Sequence, residues 1–228
     1  MKYKAVIFDL FGTLVDEIDR EQQQSFRQVA VELGIPFERL LKIWLDPRHV
    51  RVRDEGDMDA YFRFCCRDLK ISEAGAPGAA ETFRAIVRTD MTPRPDTERT
   101  LRAVKALGLG TGLVTNCNGE VPNHWPKTPY AAYIDAPVFS SRVGLVKPDP
   151  RIFRLALDQL GATPTDCLYV GDGGSNELAA STALGMTAVM VRTKYNGGPE
   201  AFIRTDPPWS GLRLQFLSDI LPLLAEGK

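Results

Sequence analysis

The chain has 228 residues, and its 28 Lys plus Arg nearly balance its 29 Asp plus Glu, which leaves a net charge of −1. This balance argues against a nucleic-acid-binding protein, because such proteins carry a strongly basic surface. Hydrophobic residues make up 44% of the chain and charged residues 25%, a composition typical of a folded globular protein. Apolar runs are shorter than the roughly 18 residues that span a bilayer, and the N-terminus lacks the features of a signal peptide. We therefore expect a cytoplasmic protein that does not enter the membrane.

The chain offers no cysteine or histidine pattern that indicates a metal or redox site. Its four cysteines are Cys65, Cys66, Cys117 and Cys167. None of them forms a CxxC pair, so we expect reduced, buried thiols. The two histidines, His49 and His124, are not spaced for a catalytic triad or a zinc site.

Apolar runs and helical periods alternate along the chain outside residues 17–92. The runs that predict strands are 4–10, 109–115, 136–140, 167–171 and 187–192. The segments that predict helices are 97–107, 150–160, 176–184 and the C-terminal 218–226. Alternating strands and helices indicate an α/β fold with a doubly wound, Rossmann-like parallel sheet.

Residues 17–92 interrupt this alternation. Their apolar positions, such as Phe26, Val29 and Leu33, recur at helical spacing, and the segment closes at a proline-rich return near Pro93. We therefore predict a helical domain at 17–92, inserted into a core domain formed by 1–16 and 93–228. Within that core, residues 118–130 are predicted to form an irregular loop.

Polar residues follow four of the predicted strands. Open α/β sheets bind ligands beyond the carboxyl ends of their strands, so these side chains are expected to meet at one end of the sheet. The polar residues at these positions are Asp9, Thr115, Asn116, Lys147, Asp172 and Glu177. Four polar strand ends in succession are hard to explain by packing alone, and they predict an active site.

In order and placement, these residues resemble the four motifs of the haloacid dehalogenase-like hydrolase superfamily. The motifs correspond to Asp9-Leu10-Phe11-Gly12-Thr13 (DxxGT), Thr115, Lys147, and Asp172 with Glu177. The resemblance extends over most of the chain. The helical insertion resembles the small cap domain that one subclass of the family carries between its first and second motifs.

The resemblance implies a nucleophile and its helpers. Asp9 would attack the substrate and form a covalent intermediate, which splits one difficult step into two easier ones. Lys147 would offset negative charge on Asp9 and on the transferred group. Thr115 would donate a hydrogen bond to a phosphoryl oxygen.

The resemblance also implies a Mg²⁺ site. Asp9 and Asp172, with the main-chain carbonyl of Phe11, would hold the ion, since Mg²⁺ prefers an oxygen site with one or two carboxylates. Glu177 is expected beside this site, where it would orient a water molecule on the metal.

Substrate contacts are expected from the first two motifs and from the cap. These candidates are Gly12, Thr13, Asn116, Arg51 and Arg53. The two arginines belong to a basic cluster at 48–53, and an arginine that reached over the site would bind an anionic substrate. A solvated charged surface is the alternative interpretation of that cluster.

Phe11 is the main departure from the family pattern. The family's phosphatases carry a second Asp there as the general acid and base, whereas its 2-haloacid dehalogenases carry an aromatic residue. The acidic fourth motif points back to the phosphatases. We therefore predict a Mg²⁺-dependent phosphatase that acts on a small phosphorylated molecule.

Three alternatives stay open. The first is a metal-free 2-haloacid dehalogenase, in which Asp9 forms an ester with carbon. The second is a catalytically weak binding or regulatory protein with this fold. The third, less favoured, is carbon–phosphorus bond cleavage, for which Lys42 or Lys70 would supply a Schiff base. Under each of these hypotheses we expect the protein to bind a small anionic substrate and to bind neither nucleic acid nor membrane. We expect a monomer or a homodimer.

Overall fold

The computed structural model describes residues 2–16, 20–46, 49, 57–192 and 209–225. Arg51 and Arg53 lie outside these residues, and so does Glu226 at the end of the predicted C-terminal helix. Among the described residues, no helix has both the length and the apolar character needed to cross a membrane.

The core of the fold is a six-stranded sheet in which every pairing is parallel. Its strands are β1 Ala5–Phe8, β2 Gly110–Thr115, β3 Ala136–Phe139, β4 Cys167–Gly171, β5 Thr187–Val191 and β6 Arg213–Leu214. They are arranged in the order β3-β2-β1-β4-β5-β6. This sheet confirms the predicted α/β class. The two-residue β6 was not predicted, because so short a strand has no periodicity to detect.

Helices flank the sheet or build the inserted segment. They are α1 Arg20–Glu32, α2 Phe37–Leu45, α3 Met58–Leu69, α4 Ala76–Asp90, α5 Thr97–Ala106, α6 Glu120–His124, α7 Ser140–Val143, α8 Pro150–Leu160, α9 Glu177–Ala183 and α10 Ile220–Ala225. Single 3-10 turns precede α4, α9 and α10. The predicted helix at 150–160 has the bounds of α8.

The sequence of α8 shows why this helix forms where it does. Asp149 accepts a hydrogen bond from the main-chain N–H of Arg151 and so caps the first turn, and Pro150 occupies the first helical position. Gly161 ends the helix in the left-handed conformation. Between these ends, Ile152 and Phe153 are buried against the sheet.

By the density of its contacts the chain divides into two compact units. The first contains residues 1–17, 92–116 and 127–228, and the second contains residues 18–91 and 117–126. Residues 117–126 thus belong with the helical unit, although the sequence assigns them to the core and predicts a loop. Within that unit, Arg84 of α4 pairs with Glu120 of α6 at 3.1 Å, and Val121 and Trp125 are buried.

Aromatic side chains form the core of the helical unit. Trp44 packs against Phe26 and Phe83, with ring centroids 4.9 and 5.1 Å apart. Trp44 therefore stabilises the unit.

One polar cluster in the helical unit, formed by the buried His49 and Cys65 and the exposed Asp68, was not predicted from the spacing of the histidines. His49 Nε2 lies 3.0 Å from Asp68 Oδ2, and His49 Nδ1 lies 3.5 Å from Cys65 Sγ. Burial raises the pKa of Cys65 to about 12, which keeps the thiol protonated and unreactive. The three residues meet only in the folded chain, because His49 and Cys65 come from different segments.

The cap of α8 supplies a test of local stability. The Arg151 guanidinium bonded to Asp149 lowers the pKa of this carboxyl to about 2. The charged cap therefore stabilises the fold above about pH 4, the unfolded value, and this contribution disappears as the pH falls towards 2. We expect Asp149→Ala to lower the thermal unfolding midpoint by a few degrees at pH 7, and by less at pH 2.5.

The matched control is Asp158→Ala, near the other end of the same helix, where a negative charge opposes the helix dipole. This variant should unfold at or slightly above the wild-type temperature. Equal midpoints for Asp149→Ala and the wild type at pH 7 would contradict the capping role.

Candidate active site

The first acidic residue of the site is placed by β1. The main-chain N–H of Asp9 donates a hydrogen bond to the carbonyl of Val170 in β4. The pairing of β1 with β4 therefore continues to Asp9, the residue that follows β1. The residues of β1 are fully buried, as expected for a strand covered on both faces, and Asp9 itself is only 5% exposed. A carboxylate thus lies in a desolvated position at the carboxyl end of the central strand.

A tight turn follows Asp9. Gly12 adopts a positive φ of 79°, which favours glycine, and the chain folds back so that Thr13 N–H bonds the carbonyl of Leu10. Thr13 is buried, and its hydroxyl lies 3.5 Å from Asp9 Oδ2. The half-buried Phe11 stands in this turn and pairs with Val15.

Lys147 joins two carboxylates at the centre of the site. Its Nζ lies 2.5 Å from Asp9 Oδ1 and 2.5 Å from Glu177 Oε2, and its side chain is 4% exposed. Burial alone would lower the pKa of Lys147, but the adjacent charges of Asp9 and Glu177 outweigh it and raise this pKa. Lys147 therefore remains a cation and compensates part of the negative charge.

Glu177 is held by both of its oxygens. Oε2 accepts a hydrogen bond from the Tyr169 hydroxyl at 2.8 Å in addition to Lys147, and Oε1 accepts one from Gly173 N–H at 3.1 Å. Gly171 leaves the space for this side chain, since a Cβ there would overlap the Glu177 carboxylate. Burial, and then the charge of Asp9, raises the pKa of Glu177 to about 8.

Asp172 completes an acidic cluster. It follows the last residue of β4, is 4% exposed, and accepts a hydrogen bond from Gly174 N–H at 2.8 Å. Carboxylate oxygens of Asp9, Asp172 and Glu177 lie within 4.8 Å of one another. Burial raises the pKa of Asp9, and the charge of Asp172 adds to this effect, while Lys147 opposes it.

The donor set of this cluster fits a hard divalent cation. Among the described residues of this cluster, three buried acidic side chains lie around one ammonium, so ionising all three would leave negative charge in excess inside the protein. Burial is the main cause of the raised pKa values of Asp9 and Glu177, and the charges of the neighbouring acids add to it. Carboxylate and carbonyl oxygens are the ligands that Mg²⁺ prefers. Asp9, Asp172 and the Phe11 carbonyl therefore remain the predicted ligands, whereas both oxygens of Glu177 are already bonded to protein donors.

The second predicted motif lies at the end of β2. Thr115 is the last residue of the strand and is fully buried, and its hydroxyl lies 3.5 Å from the carbonyl oxygen of Asn116. Asn116 accepts a hydrogen bond from Lys147 N–H at 2.8 Å and donates to the Lys147 carbonyl at 3.3 Å. It also donates to Ser175 Oγ at 3.1 Å. The side chain of Asn116 is thus occupied by protein partners.

Two supporting residues were missed in the sequence. Tyr169 lies within the apolar run that predicts β4, and its hydroxyl is what orients Glu177. Arg94 belongs to the proline-rich return, and its guanidinium donates to the carbonyls of Gly12 at 3.3 Å and Arg192 at 3.0 Å. The only sequence signals for these two roles were the hydroxyl of Tyr169 within an apolar run and the position of Arg94 between two prolines.

A protein-family model described as haloacid dehalogenase-like hydrolase matches residues 3–184. The chain is 25% identical to glyceraldehyde 3-phosphate phosphatase of Methanothermobacter thermautotrophicus, over 96% of this chain and 97% of that protein. It is 24% identical to (S)-2-haloacid dehalogenase 1 of a Pseudomonas species, over 82% of this chain and 84% of that protein.

Solved structures agree on the fold. The crystal structure of a 2-haloacid dehalogenase from Pseudomonas syringae pv. Tomato matches 99% of this chain and 100% of its own, with a TM-score of 0.71 and 22% identity. The relatives include a phosphatase and a dehalogenase, so similarity alone leaves the substrate class open.

The raised pKa of Glu177 predicts how the stability of the metal-free protein depends on pH. The folded protein keeps a proton on Glu177 up to about pH 8, whereas the unfolded chain releases it near about pH 4. The free energy of unfolding therefore falls as the pH rises between these values. In chelator, the wild-type unfolding midpoint should fall from pH 6 to pH 8, and Glu177→Gln should show a smaller fall.

The control is Glu38→Gln, an exposed position at the start of α2. Its midpoint should follow the wild-type pH dependence. Parallel curves for Glu177→Gln and the wild type would show that Glu177 is ionised in the folded protein across this range.

Proposed function

Since this chain belongs to the haloacid dehalogenase-like hydrolase family, we propose that it is a Mg²⁺-dependent phosphatase of a small phosphorylated molecule. The observation that carries the proposal is the cluster of three buried acidic side chains, Asp9, Asp172 and Glu177, around the Lys147 ammonium. A small anionic substrate would be repelled by this cluster unless a cation were added. A phosphatase with bound Mg²⁺ meets that requirement.

In the proposed first step, the Asp9 carboxylate attacks phosphorus. A bond forms between Asp9 and phosphorus, the bond to the leaving oxygen breaks, and that oxygen keeps the electron pair. Lys147 holds Asp9 Oδ1 at 2.5 Å, which fixes the orientation of the nucleophile before the substrate arrives. The product of this step is a phosphorylated Asp9.

In the second step, water attacks the phosphorus of the acyl phosphate. Inorganic phosphate leaves and the Asp9 carboxylate is regenerated, so the enzyme returns to its starting state. Lys147 compensates negative charge on the phosphoryl group throughout. Asp9, Asp172 and the Phe11 carbonyl would hold Mg²⁺, which would supply further positive charge next to the phosphoryl group.

This reaction has no assigned general acid to protonate the leaving oxygen. Phe11 has no proton to donate, and general acid catalysis is typically worth about 10²–10⁴-fold. The best substrates are therefore those whose leaving oxygen departs unprotonated. Poor leaving groups require a proton from the substrate itself.

A second candidate function is hydrolytic dehalogenation, and the aromatic Phe11 favours it. Asp9 would attack the halogen-bearing carbon of a 2-halo acid, halide would leave with the bonding electrons, and water would hydrolyse the resulting ester. This route needs no cation, and it gives no use to the buried negative charge around Asp172.

We also propose a cytoplasmic location. All four cysteines are buried thiols that form no disulfide, which suits a reducing compartment.

A paired activity screen decides between the two reactions. The substrates are p-nitrophenyl phosphate and 2-chloropropionate, each with Mg²⁺ and with chelator. We expect phosphate release that needs Mg²⁺, and we expect Asp9→Asn to lower it below about one hundredth of the wild-type rate. Halide release in chelator, without phosphatase activity, would favour dehalogenation instead.

Asp172→Ala serves as the metal control in this screen. Mg²⁺ should raise the thermal midpoint of the wild type by mass action, and Asp172→Ala should lose most of this shift.

Phe11 gives a second test of the reaction. Wild-type protein should hydrolyse p-nitrophenyl phosphate faster than an alkyl phosphate, because only the aryl leaving group departs readily without a proton. Phe11→Asp should increase alkyl phosphate turnover more than aryl turnover. The measurement is the ratio of the two rates in each protein, with Phe11→Leu as a matched apolar control. Equal wild-type rates on both substrates would mean that another residue donates the proton.

A further inference from the structure

The side chain of Asn116 forms hydrogen bonds with the main chain of Lys147. Its amide oxygen accepts the Lys147 N–H at 2.8 Å, and its amide nitrogen donates to the Lys147 carbonyl at 3.3 Å. One side chain therefore pairs with both polar main-chain groups of a single residue, as a neighbouring strand would. Lys147 is followed by Pro148, which has no N–H and so cannot continue a regular strand pairing.

This pairing constrains the origin of the Lys147 side chain. The Cα atom lies between the N–H and the carbonyl, so fixing both groups fixes the direction in which the side chain starts. The ammonium at the other end must lie 2.5 Å from both Asp9 and Glu177. A long lysine side chain reaches such a position reliably only when its main chain is held in place.

The third contact of Asn116 extends the same constraint to the fourth motif. The amide nitrogen donates to Ser175 Oγ at 3.1 Å. Ser175 and Asn176 both have left-handed backbone, with φ of 54° and 53°. Such residues persist only where the surroundings hold them. The turn at Ser175 and Asn176 lies between Asp172 and Glu177. The side-chain amide of Asn116 therefore connects the main chain of Lys147 to the loop that carries these two acids.

We propose that Asn116 is a positioning residue that acts through Lys147, and not a substrate contact. The inference rests on the proposed function for its kinetic consequence only, since the contacts themselves are made in the free protein. Because Asn116 orients Lys147, its loss displaces the cation that holds Asp9. The transition state then loses stabilisation, while substrate affinity is retained.

The first test measures the position of Lys147 without any activity. Metal-free protein is treated with acetic anhydride, and acetylation of each lysine is followed by mass spectrometry. We expect Lys147 to react about tenfold faster in Asn116→Ala, since two main-chain hydrogen bonds are lost. Asn116→Asp keeps the acceptor and should react at an intermediate rate. Lys4, whose side chain is 70% exposed, should be unaffected and serves as the internal control.

The second test separates positioning from substrate binding. With p-nitrophenyl phosphate and Mg²⁺, Asn116→Asp should lower kcat by about 10–100-fold, because small displacements of catalytic groups have effects of this size. KM should stay within about threefold of wild type. Ser175→Ala removes only the third hydrogen bond and should have a smaller effect on kcat. Circular dichroism and the thermal midpoint confirm folding, and the isosteric Asn116→Asp keeps the comparison valid if Asn116→Ala does not fold.

The outcomes are distinct. Unchanged Lys147 acetylation in both variants would overturn the proposal, and so would a raised KM with wild-type kcat, which would indicate a substrate contact. If wild-type protein does not hydrolyse the phosphate ester, the proposed function fails, and the acetylation rates still decide the role of Asn116.

Discussion

The Lys147 ammonium between Asp9 and Glu177 is the interaction on which the rest of the site depends. Removing one partner of a buried ion pair typically costs about 3–5 kcal/mol, because the remaining charge is left without compensation. Here one cation is shared by two acids while a third lies close by, so the compensation is incomplete. Under the proposed function, Mg²⁺ would supply the positive charge that the side chains of the site do not provide.

The fold supplies this arrangement through the sheet. Strands β2, β1 and β4 are neighbours in parallel register, so Thr115, Asp9 and Asp172 reach the same end of the sheet. Around them, a small set of contacts restricts the long side chains. Tyr169 fixes Glu177, and Asn116 fixes the main chain of Lys147. Preorganisation here comes from neutral hydrogen bonds that are added to the charged ones.

The sequence was sufficient to predict five of the six described strands and the acidic cluster, and insufficient for the contacts that support them. Asp9, Lys147 and Asp172 follow apolar runs, and the physics of parallel sheets places such residues together. Tyr169 gave no comparable signal, because its ring belongs to the buried run and only its hydroxyl takes part in the site. The pairing of His49 with Cys65 depends on how separate segments of the helical unit pack, which local periodicity does not encode.

The grouping of residues 117–126 with residues 18–91 affects how this protein can recombine with its relatives. The helical unit is built from two separate stretches of the gene, and the second begins directly after Asn116. An exchange of residues 18–91 alone would leave Glu120 without Arg84 and would separate Val121 and Trp125 from the unit to which they belong. Replacing this unit by that of a relative therefore requires the exchange of both residues 18–91 and residues 117–126. The second segment follows directly on the end of β2, so an exchange there would tend to carry the end of β2 with it.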